Sequence, residues 1–262
     1  MTGGTSAVQL IEAIQDMQIA KPFIMISSKL MVDAQSIIFP ALEKEEISFH
    51  TYICDTGEPT FLQVRNAIGR AEAKGCDGVA AIGGGSVIDL AKAVSIFILN
   101  PQHSLMTIQH EADIERLPLI AIPTTAGSGS EATSVMVITD NETGIKLNPS
   151  HPAFIPDAAI LDPYWTQKLS PAITAYTGLD ALTHAMEAYV STKANDFSDF
   201  YALQAIIKIT NNLPEVYNKT TNPYIYDEML LGSLYAGIAF SNSSTNLAHA
   251  AGRALGAKYQ LP

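Results

Sequence analysis

Asp180 and His184 stand four residues apart in a run of good helix formers, Gly178-Leu179-Asp180-Ala181-Leu182-Thr183-His184-Ala185-Met186-Glu187-Ala188-Tyr189. On an α-helix, positions i and i+4 share a face, so a carboxylate and an imidazole at this spacing converge on one point. A hard carboxylate oxygen beside an imidazole nitrogen suits a divalent first-row metal such as Fe²⁺ or Zn²⁺. Leu179, Leu182 and Met186 predict dry, apolar surroundings. The plainer reading is a helix carboxylate beside a core histidine, and one Asp-x-x-x-His pair does not separate the two. His249, in Asn246-Leu247-Ala248-His249, is the other histidine of the helix-rich C-terminal half, which makes it the candidate third ligand. A lone helical histidine is more often a packed or surface residue. His50, His103, His110 and His151 fall outside that half and carry no assigned role.

Two glycine-rich stretches offer different chemistry. Gly83-Gly84-Gly85-Ser86 sits between an apolar strand over 78–82 and a helix over 87–99. There the helix N-terminus presents unpaired N–H groups and a positive dipole end to a phosphate, and Ser86 adds a hydroxyl. The alternative is a tight turn with Ser86 as N-cap. Asp89, one turn in, is either a dipole partner or aimed at a ligand. Neither Gly-x-Gly-x-x-Gly nor a P-loop is present. Pro123-Thr124-Thr125-Ala126-Gly127-Ser128-Gly129-Ser130-Glu131 also follows a buried strand. In an open parallel sheet, ligands sit beyond the C-terminal strand ends, so two such loops outline a dinucleotide site better than either alone. Lys146 is either a solvated loop lysine or a cation reaching ribose or phosphate oxygens.

The elements that must position these groups follow from periodicity. Helices are predicted over 8–14, 30–42 (with Pro40 expected to end it early), 61–74 and 87–99. Thr60 and Gly75 bound the third of these. Strands are predicted over 23–26, 48–53, 78–82, 117–122, 134–139 and 158–161. Strands alternating with helices argue for a parallel, doubly wound sheet. From residue 172 only helical periodicity appears, over 172–190, 199–213, 227–240 and from about 246. We therefore expect an α/β domain over 1–165 and a helical domain over 166–262, with Trp165 packed at the boundary. Residues 1–5 read as flexible.

At 262 residues, 47% hydrophobic and 16% charged, the chain can bury a substantial core. A net charge of −11 argues against nucleic acid or an anionic membrane as partner. Cys54 and Cys76 alone give no disulfide framework and no thiolate metal site, which fits a cytoplasmic protein. The longest apolar run, 93–99, is far below the roughly 20 residues of a membrane helix, and no signal peptide is visible.

Four segments together resemble the iron-containing (group III) alcohol dehydrogenase family. They are Gly83-Gly84-Gly85-Ser86-Val87-Ile88-Asp89, the 123–131 loop, Asp157-Ala158-Ala159-Ile160-Leu161-Asp162-Pro163, and the 178–187 helix, in that family's order and spacing. The resemblance implies a Rossmann-like N-terminal α/β domain with a parallel sheet and an all-helical C-terminal domain. NAD(P) and Fe²⁺ (or Zn²⁺) would lie in the cleft between them. It makes Asp180, His184 and His249 metal ligands. Gly84, Gly85 and Ser86 become pyrophosphate contacts with Asp89 nearby, and Thr124, Thr125 and Lys146 further cofactor contacts. No catalytic side chain beyond the metal ligands is implied. The expected reaction is hydride transfer between a small primary alcohol or aldehyde and nicotinamide. A homodimer or larger homo-oligomer is expected.

Three departures stand out. The family's fourth ligand, in a His-Gly pair, would fall just beyond Pro262, further helices would follow, and an extra strand would precede Met1. The chain is therefore expected to be part of that fold, with an incomplete helical domain. Arg253 stands where many members place a proton-relaying histidine, and arginine cannot act as a base. Ser28 replaces an aspartate of NAD-preferring members, which removes repulsion of a 2′-phosphate, so NADP is expected to be tolerated. A zinc polyol dehydrogenase, a dehydroquinate synthase-like enzyme and a non-catalytic nucleotide-binding fragment are the competing readings.

Overall fold

The computed structural model describes residues 6–55 and 57–259, with the backbone alone at Arg253, Ala257 and Lys258. The expectations for residues 1–5, for the Arg253 side chain and for residues beyond 259 lie outside the described residues. The chain divides into two compact units, Met1–Thr124 with Thr133–Trp165, and Thr125–Ala132 with Thr166–Pro262.

The first unit is an α/β layer structure. Its elements run α1 Ser6–Asp16, β1 Pro22–Ser27, α2 Met31–Lys44, β2 His50–Cys54, α3 Phe61–Lys74, β3 Gly78–Gly83 and α4 Gly85–Phe97. Then come β4 Leu119–Pro123, β5 Ile138–Thr139, β6 Lys146–Leu147, β7 Ala158–Ala159 and the short α5, Pro163–Gln167, at its border. The main sheet has the order β2-β1-β3-β4-β7, parallel throughout. Its strands are apolar on both sides because both faces are covered. Phe23, Met25, Val79, Ala81, Leu119 and Ala121 join one buried cluster, which also holds Val64 of α3 and most of α4. The alternate residues Ile24, Ile26, Ala80, Ile82, Ile120 and Ile122 join the other, with Leu10 of α1 and Ile38 of α2. Period-two alternation thus feeds two cores from one set of strands. Trp165 belongs to the second cluster and donates from Nε1 to Ser6 Oγ at 3.0 Å, so it anchors α1 within this unit.

Several elements depart from the sequence reading. α2 continues through Pro40 to Lys44. Pro40 is exposed, and the carbonyl it deprives belongs to exposed Ser36, which is open to solvent. The strand expected over 134–139 is reduced to β5. The carbonyls of Thr133 and Val135, which a ladder would use, accept instead from the fully buried Lys92 Nζ at 2.9 and 2.7 Å. β5 pairs antiparallel with β6, a strand not foreseen, across a turn whose Gly144 has φ 69°.

The second unit is helical: α6 Pro171–Tyr189, α7 Asp196–Tyr217, α8 Pro223–Ser241 and α9 Leu247–Tyr259. Small residues let these helices close on one another. Ala188, Ala202 and Ala239 form a buried cluster, and a Cβ on Gly178 would stand 2.4 Å from Leu213. The loop Thr125–Ala132 belongs to this unit. At Gly129, φ is +63° and a Cβ would meet the Gly237 Cα of α8 at 2.7 Å, so glycine is required twice over. Among the described residues no helix is long and apolar enough to cross a membrane.

Candidate metal centre

Helix α6 begins with Ser170 as N-cap, its side chain accepting from Ile173 N, and with Pro171 in its first turn. This start places Asp180 and His184 on one stripe. Asp180, His184 and His249 each offer one donor atom, and these atoms lie within 4.8 Å of one another. His184 Nδ1 stands 3.9 Å from Asp180 Oδ2, and His249 Nε2 stands 3.4 Å from Asp180 Oδ1. Both ring nitrogens are buried; His184 Nδ1 has no hydrogen-bond partner among the described residues, and His249 Nε2 has only the long 3.4 Å contact with Asp180. The rings of His184 and His249 stack at 4.2 Å between centroids, and Phe240 covers the other face of His184 at 4.5 Å.

Burial drives the His184 pKa down to about 4, against the opposing pull of Asp180, so its ring is neutral at neutral pH. The Gly127 backbone pulls the other way too, favouring the protonated ring, but burial prevails. Burial opposes protonation of His249 as well, but Asp180 and Glu187 outweigh it and raise its pKa above the ordinary value. Burial likewise opposes charge on Asp180, yet His249 and His184 hold its carboxyl below the usual range. Two buried imidazole nitrogens facing one carboxylate make a donor set that fits a divalent first-row cation. Only the two rings are sheltered, since Asp180 is exposed, and their shelter has a different origin from the one expected. Leu179 and Met186 are both exposed, and the stacked rings with Phe240 exclude water instead.

The strand order of the first unit places its glycine loop. Between β1 and β3 the direction of winding reverses, and the crevice beyond those strand ends is the usual ligand position. Ser28 follows β1, and Gly84 and Gly85 follow β3. Gly84, not Ser86, is the N-cap of α4, and Ser86 stands exposed in its first turn. A Cβ on Gly83 would lie 2.6 Å from Val87, so the strand-to-helix turn itself demands glycine there. Thr124 N donates to Gly83 O at 3.0 Å, beside the Gly83–Pro123 pairing of β3 and β4. Thr125 is half-buried and falls in the second unit. Asp89 faces inward, its Oδ2 accepting from Val137 N at 2.9 Å while Oδ1 lies 3.8 Å from Lys92 Nζ. Lys146 lies in β6, not in a loop, and its Nζ donates to Glu58. Lys92, with its clamp on 133–135, and Glu187, bonded to His249, were not foreseen as site residues. Glu187 had a signal, because it continues the Asp180–His184 stripe at i+7.

The model of the family described as "Iron-containing alcohol dehydrogenase" matches residues 1–163, and that of the "Fe-containing alcohol dehydrogenase family, C-terminal" matches residues 174–262. The probable alcohol dehydrogenase EutG of Salmonella typhimurium is 42% identical over 223 residues, covering 85% of this chain and 56% of that protein. The 1-propanol dehydrogenase PduQ of Citrobacter freundii is 41% identical over 207 residues, covering 79% and 53%. Among solved structures, sulfoacetaldehyde reductase from Bifidobacterium kashiwanohense in complex with NAD⁺ superposes with a TM-score of 0.90 at 26% identity, covering 100% of this chain and 70% of that one. The chain thus spans about half the length of the curated relatives it matches.

Proposed function

The chain belongs to the iron-containing alcohol dehydrogenase family, and from that premise we propose that its protein interconverts a small primary alcohol and its aldehyde, using NAD(P) and a divalent metal held by Asp180, His184 and His249. The observation that carries this reading is the convergence of three donor atoms within 4.8 Å, two of them buried ring nitrogens. Two relatives named as alcohol and 1-propanol dehydrogenases support the substrate class, and a structural neighbour in complex with NAD⁺ supports the cofactor.

Asp180, His184 and His249 would hold a divalent cation, which would supply Lewis-acid polarisation of the substrate oxygen, while a nicotinamide would supply the hydride chemistry. The chain's own residues do the positioning. Asp180 contributes the hard oxygen and the compensating negative charge. His184, kept neutral by burial, presents Nδ1 while its ring is stacked between Phe240 and His249. Gly84, Gly85 and Ser86 hold the pyrophosphate at the N-terminus of α4. Thr124 and Thr125 supply hydroxyls, and Lys146 an adjacent cation already balanced by Glu58. Ser28, exposed after β1, would stand near the adenosine ribose and, lacking a carboxylate to repel a 2′-phosphate, would admit NADP as well as NAD. Asp89 acts indirectly, by holding the 133–137 segment against α4. We further propose a cytoplasmic homo-oligomer.

The test is elemental analysis of the purified chain together with dehydrogenase turnover with and without Fe²⁺ or Zn²⁺. Near-stoichiometric metal, lost in Asp180→Ala and His184→Ala along with alcohol oxidation, is the expected result. Metal retained in both variants would remove the assignment.

A further inference from the structure

Glu187 lies seven residues after Asp180 and three after His184, on the same stripe of α6. Its side chain is 9% exposed. The carboxylate takes three hydrogen bonds, all from the start of α9. Oε1 accepts from Ala248 N at 2.6 Å, and Oε2 accepts from Asn246 N at 2.9 Å and from His249 Nδ1 at 2.5 Å. The Glu187 carbonyl also accepts from Asn246 Nδ2 at 2.7 Å. A helix start leaves its first N–H groups unpaired and favours negative charge, so the two backbone bonds fix where α9 begins. The third bond fixes the ring on its first turn. A carboxylate only accepts, so the shared proton sits on His249 Nδ1. With Nδ1 committed to Glu187, Nε2, the atom 3.4 Å from Asp180 Oδ1, is the ring nitrogen left to face a cation.

We propose that Glu187 is a positioning residue of the metal centre, setting both the tautomer and the orientation of His249 so that Nε2 is its donor atom. This rests on Asp180, His184 and His249 being the ligands, as proposed above. Helix capping alone would need only the two backbone bonds. The ring bond is what couples the cap to the centre, and outer carboxylates of this kind tune histidine ligands by orientation and tautomer.

The decisive probe is ¹⁵N NMR of the histidine rings in the full chain, paired with Co²⁺ titration read by its visible d–d bands. In the wild type, the neutral form of the His249 ring is expected as the Nδ1–H tautomer. In Glu187→Gln an amide N–H₂ faces the ring, Nδ1 must accept, and the proton moves to Nε2. Co²⁺ affinity should fall about 10- to 100-fold with altered bands, while circular dichroism keeps its helical signal. In a His249→Ala background the same substitution should leave the residual Co²⁺ affinity unchanged. An Nε2–H tautomer in the wild type overturns the proposal without any variant. Wild-type Co²⁺ affinity and bands in Glu187→Gln reduce Glu187 to a helix cap. A wild type with the Nδ1–H tautomer that takes up no Co²⁺ instead removes the metal reading, and the ligand role of His249 with it.

Discussion

At the scale of single residues, some motif positions hold the frame. Asp157 opens one of the four family-like segments, yet its work is structural. Its carboxylate takes a two-pronged contact from Arg116, at 2.6 and 2.8 Å, and accepts from Leu119 N at 2.8 Å at the start of β4. Burial opposes its charge, but Arg116 outweighs burial and holds the carboxyl below the usual range. A carboxyl depressed on folding contributes stability above its ordinary pKa of about 4 and loses it as pH falls through the lowered value. Asp157→Asn is therefore expected to be less stable than the wild type at pH 7, with the difference shrinking as pH falls below the ordinary carboxylate range, measured by urea unfolding at each pH. Asp180 and His184 were legible because helical spacing alone brings them together. Glu187 was not, because its meaning comes from α9, 59 or more positions along the chain.

At the scale of elements, legibility followed local chemistry. α3 was readable end to end because Thr60 and Gln63 form a capping box and Gly75 closes the helix at φ 64°. The segment 134–139 was not, because a buried lysine from α4 diverts its carbonyls, a tertiary effect that alternation cannot report. The left-handed glycines show the same division. At Gly75 a Cβ meets open space, so Gly75→Ala pays only for the backbone, about 1 kcal/mol. At Gly129 the same φ is combined with contact against the Gly237 backbone, and Gly129→Ala should cost at least about 3 kcal/mol. Urea midpoints followed by circular dichroism separate the two, and equal losses would show that the approach of loop and helix has no energetic weight.

At the scale of the whole molecule, the layered α/β unit and the helical unit were both visible as a change of period near residue 165, because a parallel sheet covered on two faces leaves wholly apolar strands. What periodicity could not show is that Thr125–Ala132 packs with the helices, since that membership depends on glycine contacts with α6 and α8. The candidate metal ligands all lie in the second unit, while Ser28, Gly84, Gly85, Ser86 and Thr124 lie in the first. Hydrogen exchange should therefore report the two ligands separately. Fe²⁺ or Zn²⁺ should slow exchange in α6 and α9, and NAD⁺ at the start of α4, each by up to about 2.7 kcal/mol of local protection at 100 times its dissociation constant. Metal protection centred on α4 would contradict the assignment.

The all-parallel sheet also governs how the molecule is made. No two neighbouring strands share a hairpin, and β1 finds its second partner only when Val79 reaches Phe23. The last strand, Ala158–Ala159, closes onto Ile120 and Ala121 after the hairpin has been passed. Pairings of this reach are intrinsically slow, because loop-closure entropy is lost before the contacts form. During synthesis the apolar strands β1 and β3 emerge from the ribosome well before their cover is complete, so the same residues that build two cores in the finished fold are the chain's chief exposure to chaperones and to misassembly while it is still being extended.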